Sequence, residues 1–178
     1  MKMNNLKNAV RIGHFSRNLS AAKKNLNFVK DSNLPKKDYK KNEARVYFIC
    51  VNGTIVKIGG SNAKGGIAGT ISPYCSGNGG RPSDRTYGVN YYIEQELRKG
   101  NDVEIYAQWM PSATCSVPSL TGIEYMSVSY SYKKMEEACV EEYLTINGNK
   151  HPAWNFQEAG MPWPQEIQEG RRKLLESK

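Results

Sequence analysis

Tyr47 and Lys57 stand on either side of an Asn52-Gly53 dipeptide, inside the run Val46-Tyr47-Phe48-Ile49-Cys50-Val51-Asn52-Gly53-Thr54-Ile55-Val56-Lys57-Ile58-Gly59-Gly60-Ser61. A phenol held beside an ammonium has its ionised form favoured, which makes it an oxygen base or a proton relay. Whether the two meet depends on register, because side chains alternate faces along a strand. The flanks are rich in β-branched and aromatic residues, and Asn-Gly is a hairpin turn signal. A two-residue loop pairs Tyr47 with Ile58 and throws Lys57 to the other face. A three-residue loop, Val51 to Gly53 with a left-handed Gly53, pairs Tyr47 with Lys57. The chemistry requires the second, so a three-residue loop or bulge at Val51 to Gly53 is the expectation. The plainer alternative is a half-buried tyrosine and a solvated lysine. Gly59-Gly60-Ser61 ends the second strand on small residues, where another group can approach the backbone closely.

This stretch resembles a variant of the GIY-YIG nuclease core, with Val46-Tyr47-Phe48 for the first tripeptide and Lys57-Ile58-Gly59 for the second. Val140-Glu141-Glu142-Tyr143-Leu144 and Pro152-Ala153-Trp154-Asn155 are similar to the family's catalytic-glutamate helix and closing segment, in the family's order. The resemblance covers roughly residues 46 to 155. It implies hydrolysis of DNA phosphodiester bonds with a single divalent cation, Mg²⁺ or another, held mainly by one carboxylate. Glu141 matches the family's position, whereas Glu142 lies nearer the apolar arc between Ala138 and Ile146, so both stay open; Glu136-Glu137 and Glu141-Glu142 also read as a solvated acidic face. Asn155 would orient phosphate or support the site through hydrogen bonds, or else cap a turn after Pro152. The family's helical arginine has no counterpart between Ser61 and Gly80. Arg81 or Arg85 would take its role, and Arg85, at the start of the next helix, could clamp a phosphate bidentately. A loop salt bridge to Asp84 is the ordinary reading of either.

The charge distribution fits such a partner. The chain has 178 residues and a formal charge of +8, and residues 1–45 hold twelve Lys and Arg against three Asp and Glu. The remaining 133 residues carry thirteen basic against fourteen acidic side chains, so the excess lies wholly in the amino-terminal part. Lys23, Lys24, Lys36, Lys37 and Lys40, with Arg81, are the expected phosphate contacts on double-stranded DNA; a solvated tail is the alternative. No apolar run reaches the roughly 18 residues needed to span a bilayer. A soluble, cytoplasmic protein, bacterial or phage-encoded, is expected. Cys50, Cys75, Cys115 and Cys139 show no Cys-x-x-Cys spacing, and His14 and His151 are the only histidines. Buried free thiols are expected rather than a zinc site.

The elements that must position these residues follow from periodicity. Leu19, Ala22, Leu26 and Val29 predict a basic amphipathic helix between Ser20 and Lys30, followed by a linker over 31–42. Residues 62–80, dense in Gly, Ser and Asn, read as a long loop with at most a short turn around Ile67 to Tyr74. Val89, Ile93 and Leu97 predict a helix ending at Gly100, Asp102 to Trp109 a strand, 110–122 a loop, and Tyr125 to Tyr132 a strand or extended approach. Met135, Ala138, Cys139, Tyr143 and Ile146 line a helix from Lys133 to Ile146, and Gln165 to Lys178 holds a short basic helix. Trp154 and Trp163 are assigned to packing rather than to base stacking.

The fold class is therefore α+β: a small mixed or antiparallel three-stranded sheet flanked by helices, with a basic amino-terminal arm. Three parts are expected: 1–42 as arm and linker, 43–160 as catalytic core, 161–178 as a segment packing on it. The function expected is that of a metal-dependent DNA endonuclease, most similar to small type II restriction enzymes with Lys in the second tripeptide and working as a possible homodimer. A non-catalytic nucleic-acid-binding module and a phage or homing-like nuclease are the alternatives.

Overall fold

The computed structural model describes residues 8–20, 24–77, 79–110, 112–129 and 131–177. Seven strands and five helices follow one another there. They are β1 (Val10–Arg17), β2 (Leu26–Lys30), α1 (Lys36–Tyr39), β3 (Arg45–Val51), β4 (Thr54–Ser61), α2 (Gly66–Cys75), α3 (Asp84–Arg98), β5 (Val103–Trp109), β6 (Ser112–Ser119), β7 (Gly122–Ser129), α4 (Tyr132–Ile146) and α5 (Gln165–Glu176). One five-stranded sheet has the order β2-β1-β5-β3-β4, and every pairing in it is antiparallel. β6 and β7 form a separate two-stranded ribbon.

β3 reads as a nearly unbroken apolar run because it is covered on both faces. Tyr47 and Ile49 face a core that includes Ile67 and Ile71 of α2, Val89 and Ile93 of α3, and Ile105 of β5. Val46, Phe48 and Cys50 face the other way, with Ile55 and Ile58, onto Val140 and Tyr143 of α4. Burying one such side chain stabilises the fold by roughly 1.5–3 kcal/mol. These two layers lock the register of the hairpin, since a slip of one residue would send Tyr47 into the wrong core.

The hairpin itself corrects the expected loop. Val51 faces Thr54 across a two-residue turn in which Asn52 (φ 47°) and Gly53 (φ 74°) are both left-handed, the conformation that matches strand twist. Cys50 faces Ile55, but Ile49 then faces Lys57, so Val56 is an extra residue in β4. This bulge, and not the turn, returns Lys57 to the face of Tyr47. Their direct pairing does not occur: Tyr47 faces Gly59.

Six other expectations change. The residues expected as a helix between Ser20 and Lys30 instead include β2, which pairs with β1; Leu26 is fully buried while Val29 is 45% exposed, the alternation of a strand. β1 in turn borders β5, which is why the sheet has five strands and not three. The glycine-rich 62–80 stretch holds α2, whose Ile67, Ile71 and Tyr74 are buried at helical spacing. Its left-handed Gly66 (φ 72°) lies against the backbone of Tyr39 and Lys40 just after α1. The expected 110–122 loop contains β6. α4 has nearly the expected bounds, but its stripe is turned, with Val140 and Tyr143 buried and Ala138 and Ile146 exposed. Cys115 is exposed, against expectation, whereas Cys50 and Cys75 are buried.

Candidate active site

β4 is an edge strand, and the segment after α4 closes its middle. The Trp154 N–H donates to the Val56 carbonyl at 2.8 Å. Asn155, fully buried, accepts from the Ile58 N–H and donates to the Ile58 carbonyl, both at 2.8 Å. Its amide is thus spent on the strand between Lys57 and Gly59 and supports the site without facing a phosphate. Trp154 and Trp163 stack with Tyr92, so they serve packing as expected.

Beyond the clamp the edge opens at Gly59-Gly60. A side chain at Gly59 would land on the Tyr47 phenol, and one at Gly60 would meet Glu136 Oε2 and the Tyr132 ring at 2.7 Å. The missing side chains therefore let α4 reach around the edge toward the Tyr47 face. A cleft of about 470 Å³ results, lined by Gly60, Arg85, Glu136, Glu141 and Glu158 among others.

Tyr47 and Tyr74 lie behind Gly59, both nearly inaccessible, with their hydroxyls 2.5 Å apart. Burial, and then the neighbouring phenol, pushes Tyr47 well above its ordinary value of 10.0, outweighing the charge of Arg85. Burial likewise raises Tyr74. The expectation of a phenol made acidic by Lys57 is thereby corrected, because desolvation is the larger effect. Lys57 is the group moved toward neutrality. At 1% exposure, burial lowers it from 10.5, with Glu158 opposing.

Arg85, the second residue of α3, lines the same cleft. Its Nε donates to Gln157 Oε1 at 2.8 Å, and its Nη2 lies 3.4 Å from Glu158 Oε1. The same Glu158 oxygen is 3.5 Å from Lys57 Nζ. Asp84 pairs with Arg171 rather than with Arg85. Glu136 receives the Gly60 N–H, while burial and the charge of Glu158 raise its carboxyl above 4.5. Two carboxylates that repel one another beside a cleft are oxygen donors suited to a hard divalent cation.

Of the residues singled out in the sequence, Tyr47, Lys57 and Arg85 converge here, with Asn155 behind them. Glu141 is exposed at the cleft lining, whereas Glu142 lines a separate small cavity with Phe48, Ile55 and Tyr143. Arg81 is exposed in the loop before α3 and does not line the cleft. Lys24, Lys36, Lys37 and Lys40 are exposed outside it, and Lys23 lies outside the described residues.

Sequence reasoning missed Tyr74, Glu136 and Glu158 as members of the site. Tyr74 was signalled by its spacing from Ile67 and Ile71. Glu136 stands one helical turn before Val140, on the face that packs. Glu158 carried no signal.

No protein-family model and no curated protein matches the chain. Among solved structures, restriction endonuclease HPY188I in complex with product DNA is similar at 25% identity, over 85% of this chain and 84% of that one, with a TM-score of 0.46. A mutant of bacteriophage T4 EndoII is similar at 16% identity, over 83% of this chain and 90% of that one, with a TM-score of 0.47.

Proposed function

We propose that the cleft hydrolyses phosphodiester bonds in double-stranded DNA with the help of one divalent cation, as a type II restriction-like endonuclease. The observation that supports this most is a buried Lys57, with no hydrogen-bond partner for its ammonium among the described residues, set beside Arg85, two carboxylates and a buried phenol pair. Lys57, shifted toward its neutral form, accepts a proton from the attacking water; Tyr47, kept protonated, offers its hydroxyl to the reacting oxygens and is oriented by Tyr74. Arg85 stabilises the charge that develops on the phosphoryl group. Glu136 would hold Mg²⁺ or a similar ion, with Glu141 nearby at the same cleft, and such a cation supplies Lewis-acid stabilisation of phosphoryl oxygen. The exposed Lys36, Lys37 and Lys40 around α1 supply non-specific phosphate contacts. Cutting both strands at a palindrome would use a homodimer.

Incubation with plasmid DNA and Mg²⁺ tests the reading. Discrete fragments that vanish with EDTA support it, random nicking points to a less specific nuclease, and intact but shifted DNA turns it into a binding module.

A further inference from the structure

Glu158 is the member of the site that the proposed hydrolysis does not use. One of its oxygens is shared by two cations, at 3.5 Å from Lys57 Nζ and 3.4 Å from Arg85 Nη2. Both distances exceed the 2.7–2.9 Å of a charge-assisted hydrogen bond. Among the described residues, neither Lys57 Nζ nor Glu158 Oε1 has a hydrogen-bond partner. A wholly buried ammonium whose ion pair is this long is a site waiting for a better anion than the one beside it.

We propose that Glu158 is an internal stand-in for phosphate: its carboxylate occupies the place between Lys57 and Arg85 that a substrate phosphate oxygen takes, and must withdraw for substrate to enter. This rests on the nuclease reading for the identity of the substrate, but not for the anion site itself. The local backbone permits the withdrawal. Glu158 lies in the turns between α4 and α5, outside any helix or strand, with the turn bonds made by neighbours: Ala159 to Asn155, Gly160 to Gln157 and Met161 to Phe156. Glu136 supplies the push, since both residues line the cleft and the charge of Glu158 raises the Glu136 carboxyl. A phosphate arriving with a cation relieves that repulsion, whereas Glu158 alone sustains it. In the empty protein the stand-in keeps a buried lysine and an arginine neutralised, and thereby lowers affinity for stray anions.

The probe is inorganic phosphate, titrated calorimetrically without metal into the full chain, its Glu158→Gln variant and the shorter carboxylate of Glu158→Asp. Glu158→Gln is expected to bind phosphate about tenfold more tightly than the parent, and Glu158→Asp to lie between. Adding Lys57→Met to Glu158→Gln should abolish the gain. Binding of a short duplex in EDTA should tighten in parallel, with a salt slope steeper by about one phosphate. Unchanged or weaker phosphate binding by a Glu158→Gln protein with a normal melting transition overturns the stand-in, as does an absence of phosphate binding in every variant. If Glu158→Gln and Glu158→Asp both fail to melt cooperatively, the carboxylate is structural and the proposal also falls. The plasmid assay reads the other claim separately. Tighter phosphate binding without cleavage retains the stand-in and removes the nuclease, and cleavage without tighter binding does the reverse.

Discussion

Lys57 was legible in the hairpin, and its burial changes the role proposed for it. A buried ammonium with a long ion pair destabilises its surroundings by several kcal/mol unless it is well satisfied. Lys57→Met is therefore expected to abolish cleavage while leaving the melting temperature at or above that of the parent, as a thermal melt run beside the plasmid assay would show. A marked drop in melting temperature would make Lys57 structural. Because burial holds Lys57 below 10.5, cleavage should rise with pH and reach its plateau below that value, and a flat pH profile of the parent would remove Lys57 as the base. The carboxylates separate in the same way. Glu136→Gln should reduce cleavage at least about 100-fold with duplex binding retained, while Glu141→Gln stays within a few-fold of the parent. The opposite ranking would return the cation to the residue that the sequence motif favours.

At the scale of the elements, position is set by what touches β4. Alanine at Gly59 would place its methyl group on the Tyr47 ring, so Gly59→Ala should destabilise by about 1–3 kcal/mol in a denaturant titration and disturb the phenol pair. Asn155→Ala strands a buried N–H and a buried carbonyl of Ile58, with an expected loss of roughly 2–4 kcal/mol. An intact melting temperature with lost activity would instead place Asn155 on the substrate. These contacts also explain what could be read in advance. The hairpin, α3, β5, α4 and α5 were legible because apolar period or turn chemistry is strong there, and so were Tyr47, Lys57 and Arg85. The bulge at Val56 was not, since it is fixed by packing on both faces of β3 rather than by any turn residue. α2 was hidden by its glycines, although Ile67 and Ile71 carried the period. The α4 stripe was read through Ala138 and Ile146 when the sheet selects Val140 and Tyr143, and that small rotation brings Glu136 into the site.

For the whole molecule, the amino-terminal basic segment is also a structural one. Read as an arm and linker, residues 1–42 would be removable without unfolding the core. β1 and β2, however, contribute the buried Ile12, Phe15 and Leu26 and cover the edge of β5. Deleting 1–40 is now expected to abolish cooperative unfolding, as circular dichroism of the truncated chain would show. Neutralising Lys36, Lys37 and Lys40 by Gln is the cleaner test of phosphate contact, with an expected decrease of up to about three in the salt slope of DNA binding. Burial also sets an alkaline limit. Tyr47 and Tyr74 are raised above 10.0 and Tyr92 is pushed up to about 12, so the folded state retains protons that the unfolded chain releases. Stability from these phenols is complete below pH 10 and is lost as pH climbs beyond it; a melting temperature constant from pH 10 to 12 would contradict the buried pair.

The clamp of Asn155 on Ile58 spans 97 residues of chain, and its consequence is one of timing. The hairpin bearing Tyr47 and Lys57 leaves the ribosome well before the residues that pin its edge and hold its cations, which follow 97 residues later. At common rates of synthesis the interval is on the order of ten seconds. Long-range closure is also the slow kind of contact to form. A nascent chain that has not yet reached Asn155 thus has its phenol and its lysine but no assembled cleft, and an activity housed in that cleft would wait for those residues.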